Sequence, residues 1–178
     1  MSECISAEIW IGGQLKREHV EAFCDAISGQ SLQLGFGGEY VAPQTAENLE
    51  EAMKELKGAA VLYYCDETAD WGKFSHLETW LQEHGVPYTR RTSSSDCYDG
   101  ELVEFHPGQE PVTLATNANG RPVVSIEPVE RAWHLIKEAQ QLLDSGKNAR
   151  PAISQAIDEL ATSLPAELPP LCPFQIVA

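Results

Sequence analysis

The apolar positions of this chain change period several times, and each change marks an element. From Cys4 to Ile11 they alternate, with Ala7, Ile9 and Ile11 on one side and Ser6, Glu8 and Trp10 on the other. That period predicts a half-buried strand, which Gly12-Gly13 ends. Val20, Phe23, Cys24 and Ile27 then recur at helical spacing, so a helix is expected over Arg17–Ser28 with Gly29 as its cap. Leu32, Leu34 and Phe36 alternate ahead of Gly37-Gly38 and predict a short strand. Leu49, Ala52, Met53 and Leu56 form one stripe behind Thr45, giving a second helix over Thr45–Lys57 with an acidic outer side.

Ala59–Cys65 is apolar throughout, short, and bounded by Gly58 and an acidic segment. A strand covered on both faces reads this way, and the run is expected to be the central one. Ser75 followed by Glu78 has the spacing of a capping box, and Leu77, Trp80 and Leu81 carry a third helix over Ser75–His84. Alternation within Val86–Ile126, around an Asn117-Ala-Asn-Gly120 turn, predicts an antiparallel meander. Beyond it Ala132, Trp133, Leu135, Ile136, Ala139, Leu142 and Leu143, and after Pro151 Ile153, Ala156, Ile157, Leu160 and Leu164, define two helices that form a hairpin. The proline-rich tail is extended.

These elements predict a mixed α/β fold: a single mixed sheet with packed helices, antiparallel in its C-terminal half, closed by a C-terminal helical hairpin. The organisation expected is one domain, 1–178, with an α/β core at 1–128, the hairpin at 129–164 and the extended tail at 165–178. A chain of 178 residues can bury a core without metal or disulfide staples.

Charge changes the functional picture more than any motif does. Asp and Glu number 27 against 12 Lys and Arg, a net of −15, and 15 of the acids but only 5 of the bases fall between Glu39 and Glu110. Such a field repels phosphate backbones and anionic lipid, and favours basic protein surfaces. No direct nucleic-acid binding and no membrane association are expected, while a protein partner with a basic surface is. The five cysteines, Cys4, Cys24, Cys65, Cys97 and Cys172, include no C-x-x-C pair, as in a reduced cytoplasm. The opening residues lack the n- and h-regions of a secretory signal, and no apolar run approaches the roughly 20 residues of a membrane span.

Two segments concentrate chemistry. Asp66, Glu67, Asp70 and Trp71 follow the expected central strand and combine carboxylates with an interfacial aromatic, a combination suited to a protein contact. Asp66 and Asp70 are also the residue types for a carboxylate–metal site. Cys97, with Asp96, Asp99 and His106 nearby in sequence, has the residue types of a Cys-His hydrolase, although acidic surroundings oppose a thiolate. The glycine pairs Gly12-Gly13 and Gly37-Gly38 match neither a Walker A sequence nor G-x-G-x-x-G, and the histidines lack zinc spacing. No metal or cofactor is therefore expected. The resulting expectation is an acidic, cytoplasmic interaction module, an inhibitor or regulator that engages a basic, nucleic-acid-handling protein, with a small enzyme at Cys97/His106 or Asp66/Asp70 as the alternative.

Overall fold

Strand β1 (Cys4–Ile11) places Ala7, Ile9 and Ile11 in the core, as its alternation requires, and lies between two antiparallel neighbours. The fold is given by a computed structural model that describes residues 4–38, 45–55, 61–94, 99–163 and 169–178. After β1 come β2 (Gln14–Lys16), a 3-10 turn (Arg17–His19), α1 (Val20–Ser28), α2 (Ala46–Glu55), β3 (Leu62–Asp70) and α3 (Ser75–Glu83). β4 (Tyr88–Thr92), β5 (Gly100–Phe105), β6 (Val112–Thr116), α4 (Ile126–Asp144), α5 (Arg150–Ser163) and β7 (Gln175–Val177) complete the order. The protein is mixed α/β, and the C-terminal helical pair is present.

The described chain divides into two compact units, one of residues 1–122 with 168–178 and one of residues 123–167. In the first, five strands in the order β3-β1-β4-β5-β6 form a sheet that is antiparallel throughout. Parallel pairing is confined to the small β2–β7 ribbon. Ile9, Ile11, Leu62, Tyr88, Val103 and Phe105 from the sheet pack with Phe23 and Ile27 of α1 and Leu77 and Leu81 of α3. The opposite face carries Glu8, Trp10, Tyr63 and Arg91, all half-buried.

The apolar run at 59–65 was expected to be central, but β3 is an edge strand; residues 59 and 60 lie outside those described. The outer edge of β3 is met by a segment other than a strand: Gln33 makes a two-hydrogen-bond bridge to Cys65, N–H to O at 2.8 and 2.9 Å. The short strand expected at Leu32–Phe36 is reduced to that bridge. Such cover blunts an edge that would otherwise template aggregation.

Other differences have local causes. Thr45 caps α2 as expected, accepting from Asn48 N–H at 3.2 Å, but only half of the Ser75/Glu78 capping box forms. Glu78 reaches back to the Phe74 N–H at 2.8 Å, whereas Ser75 is inside the helix and Phe74 occupies the cap position. Gly29 closes α1 in a right-handed conformation, not the left-handed one its position implied. The pairing expected across the Asn117–Gly120 turn stops at one bridge, Thr116 to Pro122, because Ser125 caps a helix that starts at Ile126, three residues before the expected start of the hairpin at 129.

The tail docks in extended form through the glycine pair. Gly13 donates to the Cys172 carbonyl at 2.9 Å, and Gln175 N–H returns to the Gly13 carbonyl at 2.8 Å. A Cβ on Gly12 would fall 2.4 Å from the Cys172 oxygen, so only glycine permits the approach. Phe174, buried against the Phe23 ring with centroids 5.7 Å apart, anchors this segment, and burying one phenyl group contributes roughly 2–3 kcal/mol.

Candidate interaction surface

The turn that presents Asp70 and Trp71 is held from inside by Arg90. This residue belongs to the core-facing row of β4, and its side chain is only 3% exposed. Its Nη1 donates to the Gly72 carbonyl at 2.7 Å, its Nη2 to Glu101 Oε2 at 3.0 Å, and its Nε lies 3.1 Å from Glu78 Oε1. The last contact is off the hydrogen-bond line, so it acts as an ion pair. A guanidinium buried to this degree requires such partners on every side.

By fixing the Gly72 carbonyl, Arg90 stabilises a turn in which Trp71 (φ 54°) and Gly72 (φ 65°) are both left-handed. A Cβ at Gly72 would stand 2.5 Å from Thr92 Cγ2. Trp71 carries the strain of that conformation and is 45% exposed beside the exposed Asp70. An aromatic and a carboxylate are thereby presented together at the end of an edge strand.

The other two residues of the acidic segment are committed elsewhere. Asp66 is 8% exposed, and its Oδ1 accepts from the Thr68 N–H at 2.8 Å and hydroxyl at 3.1 Å. These bonds close the bulge where Ile5 and Ala7 of β1 pair with Ala69 and Asp66, three residues apart on β3. Glu67 accepts from Gly37 N–H at 2.8 Å and ties down the 35–38 loop. The acidic residues expected to follow the strand are thus mostly part of it, β3 running to Asp70, and Asp66 supports the structure from within. Asp66 and Asp70 are separated by about 13 Å of extended chain, too far to share an ion. Among the described residues no cluster of three His, Cys, Asp or Glu is placed to hold a metal.

The Cys97 constellation does not assemble from its described members. Cys97 and Asp96 lie outside the described residues. Asp99 precedes β5 and His106 follows it, so the strand holds them about 20 Å apart and Asp99 does not orient that imidazole. Cys24 and Cys65 are buried, and burial followed by the charges of Asp25 and Glu21 raises the Cys24 thiol above its ordinary pKa.

The half-buried face of the sheet holds a network that sequence reasoning did not single out. Glu8 accepts from the Tyr63 hydroxyl at 2.9 Å and from Arg91 Nε at 3.0 Å, and the Arg91 guanidinium lies 5.3 Å from the Trp10 ring centroid. Burial, then the hydrogen bond and charge of Glu8, raise the Tyr63 hydroxyl above its ordinary pKa. A cleft of about 300 Å³ opens beside this pair, between Phe36, Ser93 and the Asn117–Gly120 turn. Its guanidinium is already neutralised by Glu8. The signal available in sequence was the alternation of β1, which put Glu8 and Trp10 together; their partners 55 and 83 residues away had none.

The arginines of β4 therefore give little positive charge to the surface. Among described side chains of the sheet unit, Lys16, Arg17, Arg90 and Arg91 each sit in an ion pair, leaving Lys73 and Arg121 without a carboxylate partner. Glu21 and Asp25 of α1, Glu47 and Glu51 of α2, and Asp70 are exposed and make no ion pair among the described residues. Comparison with known proteins yields no match to a family model, a curated protein or a solved structure. No described helix is long and apolar enough to cross a membrane.

Proposed function

We propose that this protein is an acidic interaction module of the cytoplasm, an inhibitor or regulator that engages a basic, nucleic-acid-handling protein surface. The observation that carries the reading is the inward pairing of the bases. The sheet unit holds 20 Asp and Glu against 8 Lys and Arg, a net of −12, and Arg90 and Arg91 spend their charge on Glu78, Glu101 and Glu8. The exposed acids of α1, α2 and the Asp70 turn then act on solvent largely uncompensated. Carboxylates on rigid elements offer a basic partner the charge pattern of a phosphate backbone, and complementary fields chiefly raise association rate and selectivity. Trp71 supplies the kind of aromatic anchor that dominates contact energetics. The free thiols of Cys4, Cys24, Cys65 and Cys172 fit a reducing compartment.

The test is affinity capture from lysate at low and high salt, with duplex DNA as competitor. A basic nucleic-acid-binding protein retained at low salt, released by salt and by DNA, and lost with the Asp70→Asn/Trp71→Ala variant supports the reading. Capture that ignores salt, DNA and that variant overturns it, as does no specific capture.

A further inference from the structure

Helix α4 carries two apolar stripes, and only one of them is covered. The first runs through Pro128, Ala132, Leu135, Ala139 and Leu142, buried or half-buried, and its C-terminal members Ala139 and Leu142 pack with Ala149 and Ala152. The second comprises Ile126, Val129, Trp133, Ile136 and Leu143, each 38–64% exposed. It lies one residue, or about 100° of rotation, around the helix from the first. On α5 the pattern repeats: Ala152 and Ala156 are buried, and the residues after them, Ile153 and Ile157, are 42% and 60% exposed. The two helices run antiparallel through a short connection, so a step of one residue turns both stripes toward the same side of the hairpin. Seven large side chains thus share one uncovered face.

The uncovered stripe of α4 advances in steps of three and four residues, the repeat of a coiled-coil seam, interrupted once by Gln140. A seam with one polar residue is a device for setting register and partner number. Half of seven such side chains is on the order of 600 Å² of apolar surface, the upper end of what a monomer leaves open and most of the roughly 800 Å² per partner that a stable interface buries.

We propose that this face is a homodimer interface, in which a second copy of the hairpin closes an antiparallel four-helix bundle. Self-complementarity identifies the occupant. Pairing α4 with its copy so that the whole seam is used sets Ile126 against the partner's Leu143, Trp133 against the partner's Ile136, and Val129 against the partner's Gln140. Glu130 and Lys137 stand on one flank of the seam, one heptad apart, while Ala132 and Ala139 on the other flank are buried within the hairpin. In that register Glu130 lies opposite the partner's Lys137, and the two-fold axis repeats the pair. A slip of one heptad sets Glu130 against its own copy and leaves Leu143 outside the seam, so charge and burial select the same register. The contact is isologous and closes at two chains.

The test is the mass of the full chain in solution, by light scattering and sedimentation across roughly a hundredfold range of concentration. The result expected is twice the chain mass. Ile136→Glu should raise the dissociation constant on the order of 100-fold with unchanged helical circular dichroism, and Gln140→Leu should lower it. Glu130→Lys and Lys137→Glu should each weaken association about fivefold, and the double variant should restore it. A monomer at every concentration overturns the proposal. So does a dimer indifferent to Ile136→Glu, or a double charge variant no tighter than either single one. Should Ile136→Glu lose helicity, the Gln140→Leu and charge-reversal results decide.

Discussion

In the sheet unit Ile9, Ile11, Phe23, Leu77 and Leu81 are fully enclosed, whereas in the hairpin Ile126, Trp133, Leu143 and Ile157 are each more than half exposed while alanines occupy the buried seam. The difference lies in how many layers each unit has. A sheet with helices on one side provides two facing surfaces, so large side chains interdigitate and charge is left for the outside. Two helices alone offer each other one narrow stripe, and the alanines there let them approach closely but remove little area from water. The sheet unit encloses its large apolar side chains and leaves charge outside; the hairpin leaves its large apolar side chains exposed.

The sharpest way to break this comparison is to attack the buried charge in the sheet unit. Arg90→Ala leaves Glu78, at 12% side-chain exposure, without its cation and frees the Gly72 carbonyl. The expected cost is about 3 kcal/mol, the lower end for breaking a buried pair, because Glu101 is 42% exposed and shares in solvent. Urea unfolding measures it, and a loss under about 1 kcal/mol would mean that Arg90 does not hold the turn.

Matched isoleucines sharpen the contrast. Ile9→Ala, at a fully buried position, should cost about 3 kcal/mol in the same assay. Ile157→Ala, at a 60% exposed one, should stay within about 0.5 kcal/mol at protein concentrations below the dissociation constant of the proposed dimer. Equal costs would show that the hairpin face is covered even in the monomer.

Alkaline pH separates the units by a smaller effect. Burial, followed by the charge of Glu78, raises the Tyr88 hydroxyl above its ordinary value, and burial then Cys24 does the same for Tyr64. The folded state therefore holds these protons more tightly than the unfolded chain. Their stabilisation is fully present below about pH 10, the ordinary tyrosine value, and is lost as pH rises toward the raised folded values. The hairpin contains no tyrosine, so the loss belongs to the sheet unit, and Tyr64→Phe should flatten the slope of unfolding free energy against pH. An unchanged slope would assign the dependence elsewhere.

Elements whose pattern is local were legible in sequence. The alternation of β1, the Thr45 cap, the helical hairpin and the extended tail all follow from periods and end signals that neighbouring residues satisfy among themselves. The candidate surface was legible only in part. Asp70 and Trp71 are exposed, but Asp66 and Glu67 look alike in sequence and differ in their partners, because Thr68 and Gly37 donate to their oxygens. Asp99 and His106 are close in sequence and far apart in space, since an intervening strand separates what a helix or turn would have joined.

By itself the sequence determined the alternation of element types, the acidic excess and the heptad spacing on α4, because period and composition are properties of the chain alone. The tertiary structure alone decided that β3 is an edge strand, that Arg90 is buried against Glu78 and Gly72, and that Arg91 neutralises Glu8. It also decided which of the two stripes on α4 is covered. Those outcomes depend on which distant segments share a face, and a side chain's charge or apolar area acts on a partner only once its nearer neighbours have left it unspent.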